Sequence, residues 1–309
     1  MTTQTAPGVR LTRIFNATPA RVYAAWTDPN VFAKWWGAGS AYRAEGIRMD
    51  VRPGGSFRVG MQHITKPASN STVGTYTVVE PGKKLAFTWN WEQRPENGQS
   101  LVTLEFKDHP RGCEMVLTHD GFKDAEIAAQ HDKGWVGCLA LLRQRIFPDF
   151  NLQIRGAAQQ FHAHQWMVIA ACEGFDDISA RKEAGQANCA AWVLAHMTNS
   201  RQNLLKMLGD AVEPQFSELA GFKMPHADPA KFPKWDDLRG AWALTEAPLI
   251  EALTRATDAT LAPPAPGPFP EPNTVANAIA FLATHEAYHI GQLAFARRAL
   301  GMAHMPLMP

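Results

Sequence analysis

The chain has 309 residues, of which 46% are hydrophobic and 19% charged, which excludes an intrinsically disordered protein and allows a sizeable core. Thirty lysines and arginines against 29 aspartates and glutamates leave a formal charge of +1. No net field therefore draws the chain to nucleic acid or to an anionic membrane, and neither is expected as a partner. At about 150 residues per domain, the length fits two domains or one large one.

The first residues, MTTQTAPGVRLTRIF, carry no apolar stretch behind a basic one. No window approaches the roughly 18 uninterrupted apolar residues of a membrane span, so a cytoplasmic protein is expected. Thr18-Pro19 then places a cap before a proline at the first helical position, and ARVYAAWTDPNVFAKWW has helical spacing broken at Asp28-Pro29. Trp35 and Trp36 are adjacent there, about 100° apart on a helix, so one of the two is expected to face the core. Strand-like runs follow: SFRVGMQHI, TVGTYTVVEP, KLAFTWNWEQ, SLVTLEFKDH and CEMVLTHDGF, with turns at Glu80-Pro81-Gly82 and at Pro95 to Gly98. From Asp124 to about Ile146 helical spacing returns, with Trp135, Leu139 and Leu142 on one stripe. Helix, antiparallel meander and long helix make an α+β outline.

The second half contains no convincing strand. Residues 156–174, 188–209, 235–256 and 273–301 read as four helices, several ending at glycine, and such a set forms a bundle. The prolines of residues 263–272 predict an extended, semi-rigid connector before the fourth helix. The boundary falls between Pro148 and Gly156, giving domains 1–150 and 151–309. Cys113, Cys138, Cys172 and Cys189 form no CxxC pair and are expected to be buried thiols.

Phe87, Trp89 and Trp91 alternate along one predicted strand and so share a face. Either they pack beneath the helix carrying Trp135 or they line a cavity between helix and sheet, and the commoner outcome for such a stripe is plain core. The ordered strings FNATPARVYAAWTDPNVFAKWWG, PGGSFRVGM, GTYTVVEPGKKLAFTWNW, VTLEF and HDKGWVGCLALL resemble the heat-shock-protein-90 ATPase activator-like family of the START-like, or SRPBCC, superfamily, over residues 8–148. The resemblance implies a helix-grip fold, a curved antiparallel sheet around a long C-terminal helix, enclosing a mostly apolar cavity. Trp36, Phe87, Trp89, Trp91 and Trp135 are the candidate lining, and a small apolar molecule is the candidate ligand. Fold membership fixes neither ligand nor activity, and a co-chaperone role would rest on the family name alone.

In Thr284-His285-Glu286-Ala287-Tyr288-His289, the two histidines stand four residues apart, so on a helix both imidazoles project from one face. Such a pair can ligate one divalent ion, or simply be two polar residues. The HEAYH string also fits the H-E-x-x-H pattern of zinc proteases. That reading is weak: no glutamate or aspartate follows Glu286, and Phe295 occupies the position of a third histidine. Glu286 then reads as a solvated residue or as a partner of the metal ligands. His162 and His164, two apart, point to nearly opposite sides and read as surface or polar-core residues; Cys172 and Glu173, near the end of the same helix, are within reach of the site, but Cys172 reads rather as a buried structural thiol. His226 and His304 lie in loops and carry no pattern.

The strings NCAAWVLAHMTNSRQNLLKMLG and ATHEAYHIGQLAFARRALG resemble the DinB-like superfamily of metal-binding four-helix bundles, over about residues 155–309. The resemblance implies that His196, His285 and His289 form a metal triad. Zinc or nickel suits three imidazoles. It further implies a metal-dependent transferase or hydrolase, linked to a low-molecular-weight thiol, with no catalytic residue assignable. The alternative is a non-enzymatic small-molecule-binding or stress-response protein whose metal is structural or vestigial. Neither reading fixes the oligomeric state, and a homo-oligomer is compatible with both.

Overall fold

The computed structural model describes residues 7–67, 69–183, 188–221 and 228–305. It divides into two compact units, Met1–Asp149 and Phe150–Pro309. In the first, strands β1 (Val9–Phe15), β2 (Tyr42–Met49), β3 (Ser56–His63), β4 (Ser69–Glu80), β5 (Lys84–Trp91), β6 (Ser100–His109) and β7 (Gly112–Asp120) form one antiparallel sheet in the order β1-β7-β6-β5-β4-β3-β2. Helices α1 (Pro19–Thr27) and α2 (Pro29–Phe32) join the two edge strands, and α3 (Ala125–Ile146) follows the last strand. The helix starts are set locally: Asp28 Oδ1 accepts from the Asn30 amide at 2.8 Å, and Asp124 Oδ1 from the Ile127 amide at 2.8 Å.

The sheet curls around α3, and its inner face, α1 and the residues after α2 make one apolar core. This is the helix-grip α+β fold. At Gly137 a side chain would stand 3.0 Å from the Ala38 backbone, so glycine lets α3 approach the loop after α2. Trp35 and Trp36 are both buried, contrary to the expectation of one. The helix has already ended at Phe32, so the 100° rule no longer governs them; Trp35 Nε1 donates to the Ala25 carbonyl at 2.9 Å, and Trp36 packs against Trp89 and Trp135.

The second unit is helical: α4 (Arg155–Cys172), α5 (Ala190–Met207), α6 (Ser217–Ala220), α7 (Trp235–Ala243), α8 (Glu246–Arg255), α9 (Asp258–Leu261) and α10 (Val275–Ala299). Helix α10 packs on α4 and α5, and α7 packs on α5. The helix expected over 235–256 is two helices broken at Leu244-Thr245. Pro248 has no amide hydrogen for the Leu244 carbonyl and its ring excludes a helical turn there, while Thr245 Oγ1 bonds back to the Trp242 carbonyl at 2.8 Å. The proline-rich segment is not an extended connector either. Its ends return to one another, with the Val275 amide donating to the Pro263 carbonyl at 2.9 Å and a bridge pairing Pro264 with Thr274. Among the described residues no helix is long and apolar enough to cross a membrane.

The bundle has two apolar layers with a polar layer between them. One contains Val168, Leu194, Trp235, Trp242 and Leu293, the other Phe161, Leu205, Leu253 and Ile279. Between them in sequence on α4, α5 and α10 stand His164, Gln165, Arg201 and Glu286, all buried.

Candidate metal centre and aromatic pocket

His196 sits on α5, and His285 and His289 one turn apart on α10. Their Nε2 atoms converge: His196 to His285 is 3.3 Å and His285 to His289 is 3.0 Å. All three possible ligand atoms lie within 4.8 Å of one another. A tetrahedral zinc with bonds of 2.0–2.1 Å needs nitrogens about 3.3 Å apart, which this spacing approaches.

The other ring nitrogens decide which atoms face the centre. His196 Nδ1 lies 2.7 Å from the Ala220 carbonyl, which can only accept, so that nitrogen carries the hydrogen and Nε2 presents a lone pair. His289 Nδ1 donates in the same way to Gln292 Oε1 at 2.7 Å, and Gln292 is itself anchored on the Tyr288 hydroxyl. Two lone pairs thus face the third imidazole, and three ring nitrogens gathered this closely fit a metal. Burial lowers the pKa of all three imidazoles, and the neighbouring rings lower it further at two of them, His285 to about 4 and His289 to about 3. The rings are thus neutral near pH 7, the form that ligates. Trp192 stacks on His196 at 4.7 Å and 10°, and Phe281 stacks on the half-buried His285 at 6.0 Å and 19°.

Glu286 does not stand in solvent, nor does it bond any of the three ligands. It is buried, accepts from Arg201 Nε at 2.8 Å and Nη2 at 2.7 Å, and lies 3.2 Å from His164 Nδ1. Arg201 in turn reaches Gln165, Thr245 and the Phe161 carbonyl and lies 3.8 Å above the Trp242 ring. With its carboxylate bound in this way, Glu286 is not placed to act on a metal-bound molecule, which removes the zinc-protease reading. Cys172 is buried in the apolar layer and, among the described residues, belongs to no metal-ligating group; its thiol is pushed up to about 12 by burial. His226 lies outside the described residues.

In the first unit, Trp36, Trp89, Trp91 and Trp135 line a pocket of about 200 Å³ between sheet and α3. Phe87 does not reach it; that ring packs against Phe57 at 5.2 Å and Tyr76 at 5.9 Å. Two histidines that motif reading passes over hold the walls. Trp135 Nε1 donates to His119 Nδ1 at 2.9 Å, and His119 Nε2 meets Ser100 Oγ at 2.8 Å. Trp91 Nε1 donates to His131 Nε2 at 2.9 Å, and His131 Nδ1 bonds the Ile127 carbonyl at 2.8 Å. A signal for both exists: His119 shares strand parity with buried Cys113, Met115 and Leu117, and His131 stands one turn before Trp135.

A curled sheet gripping one long helix, followed by a helical bundle with three convergent imidazoles, defines a helix-grip domain joined to a bundle of metal-binding type. Residues 16–146 match the family model described as Activator of Hsp90 ATPase homolog 1-like protein, and residues 160–293 match that of the DinB superfamily. The DinB match and the histidine cluster together point to metal binding in the helical unit. Among solved structures, a protein from Chromobacterium violaceum is 24% identical, covering 46% of this chain and 99% of that one with a TM-score of 0.42. An AHSA1-like protein from Aeromonas hydrophila is 27% identical, covering 45% and 91% with a TM-score of 0.40. The AHSA1 protein from Silicibacter pomeroyi is 24% identical, covering 44% and 95% with a TM-score of 0.40. No curated protein matches the chain.

Proposed function

We propose that the helical unit binds a divalent transition metal, zinc or nickel, through Nε2 of His196, His285 and His289, and serves a thiol-linked transfer reaction. The observation that carries this reading is the convergence of those nitrogens, two of them with the opposite ring nitrogen already committed to an acceptor. When bound, such a metal deprotonates a coordinating thiol or acidifies a water. The protein's own groups do the rest: Ala220 and Gln292 fix two ring orientations, Trp192 and Phe281 stack on His196 and His285, and a ligand enters at the half-buried His285. Transfer to or from a thiol is favoured over hydrolysis because Glu286, the carboxylate next to His285 in the chain, is bound to Arg201 and so is not available as a general base. In this reading the pocket of the first unit receives a small, mostly apolar molecule.

Metal content measured by mass spectrometry on the full chain tests it. Wild-type protein is expected to hold close to one zinc or nickel per chain and His285→Ala to lose it with its fold intact by circular dichroism. Full occupancy in the variant would refute the triad.

A further inference from the structure

We infer that the pocket between sheet and α3 is a site for a small aromatic carboxylate, with its ring among the tryptophans and its acid group at Arg94. This rests on the reading of that pocket as a ligand site and names the class of ligand.

Size sets the body of the ligand. An apolar cavity of about 150 Å³ holds benzene, so a pocket of about 200 Å³ holds one ring with a short substituent. Shape selects an aromatic ring over an aliphatic one. Trp89 lies 5.1 Å from Trp135 at 53°, 5.5 Å from Trp91 at 88° and 6.0 Å from Trp36 at 62°, so the walls offer ring faces and edges at once.

Charge sets the substituent. Inside the pocket the polar groups are neutral: His131 takes the Trp91 hydrogen on Nε2, and burial lowers its pKa. The one charged side chain among the lining residues is Arg94, exposed at the rim and, among the described residues, without an ion-pair partner. The cation at the mouth matches a ring that carries an acid on a short arm and repels an amine placed there.

Gly134 marks where a larger residue would enter the space. It lies inside α3 and lines the pocket, and a side-chain carbon there would meet nothing within 4 Å. Glycine weakens a helix interior, and no close packing demands it here, in contrast to Gly137.

Calorimetric titration of the full chain with phenylacetate, 2-phenylethanol and phenethylamine tests the assignment. Phenylacetate is expected to bind about fivefold tighter than the alcohol, with the amine weakest. Arg94→Gln, an exposed change, is expected to bring acid and alcohol level, and Gly134→Leu to weaken both at least tenfold. Absence of saturable binding, equal affinity for acid and alcohol in wild type, or an unchanged preference in Arg94→Gln would each overturn it. Should Gly134→Leu fail to fold, the Arg94→Gln comparison decides. Repeating the titration with chelator-treated and zinc-loaded protein separates the two readings, since failure of zinc to bind leaves the phenylacetate isotherm as it was.

Discussion

The guanidinium of Arg201 holds both oxygens of Glu286 from the middle of the bundle, at 2.7 and 2.8 Å, with the two side chains only 2% and 4% exposed. Burial by itself raises the carboxyl's pKa, but the Arg201 charge and the hydrogen bonds from His164 and Arg201 outweigh it and hold the pKa below the ordinary value. Removing one member of such a pair leaves a buried charge uncompensated, at a cost of about 3–5 kcal/mol. Arg201→Leu is therefore expected to lose roughly that much in urea unfolding, and Arg201→Leu with Glu286→Leu to lose clearly less than Arg201→Leu alone. Equal losses in the single and double variants would show that the pair is not the coupled unit described.

Gln292 bonds His289 without touching the centre. Outer partners of this kind change metal affinity about 10–100-fold when removed. Gln292→Ala should weaken zinc binding by that factor in chelator competition while leaving the melting temperature of the metal-free protein nearly unchanged.

Among the histidines with depressed pKa values, three are lowered far: His119 to about 2, mainly from desolvation with a contribution from His131, His289 to about 3 and His285 to about 4. Above the unfolded value of about 6.5 both states are neutral and these groups do not alter stability. As pH falls below it the unfolded chain takes up protons that the folded chain refuses, so stability is lost between about 6.5 and each folded pKa. Each histidine removes up to about 1.4 kcal/mol per pH unit in that window. Metal-free protein at pH 5 should thus unfold at lower urea than at pH 7, and His119→Gln should flatten the dependence.

All four cysteines are buried, and desolvation pushes Cys138 and Cys172 up to about 12 and Cys113 up to about 11. The thiolate is the reactive form. Native protein should therefore give less than one fast-reacting thiol per chain with a disulfide reagent at pH 8, against four after denaturation.

Short-range patterns were readable because their causes are local. The central strands alternate visibly since both their faces are constrained, the helix starts carry caps at Thr18 and Asp124, and His285 and His289 share a helix face by spacing alone. Strands β1 and β2 gave no such signal. They are the two edges of the sheet, and β2 buries none of its residues fully and is interrupted by an irregularity between Glu45 and Arg48. An edge strand with little to bury shows little alternation.

The sequence by itself determined the central strands, the main helices, which of their residues share a face, and, through family resemblance, the helix-grip and bundle architectures. Tertiary structure alone decided that Glu286 turns to Arg201 instead of water, that His119 and His131 hold the tryptophans of the pocket, and that Phe87 packs outside it. The reason is physical: hydrogen bonds and dihedral preferences act between near neighbours in the chain, whereas burial and the convergence of lone pairs depend on which distant surfaces come to cover one another.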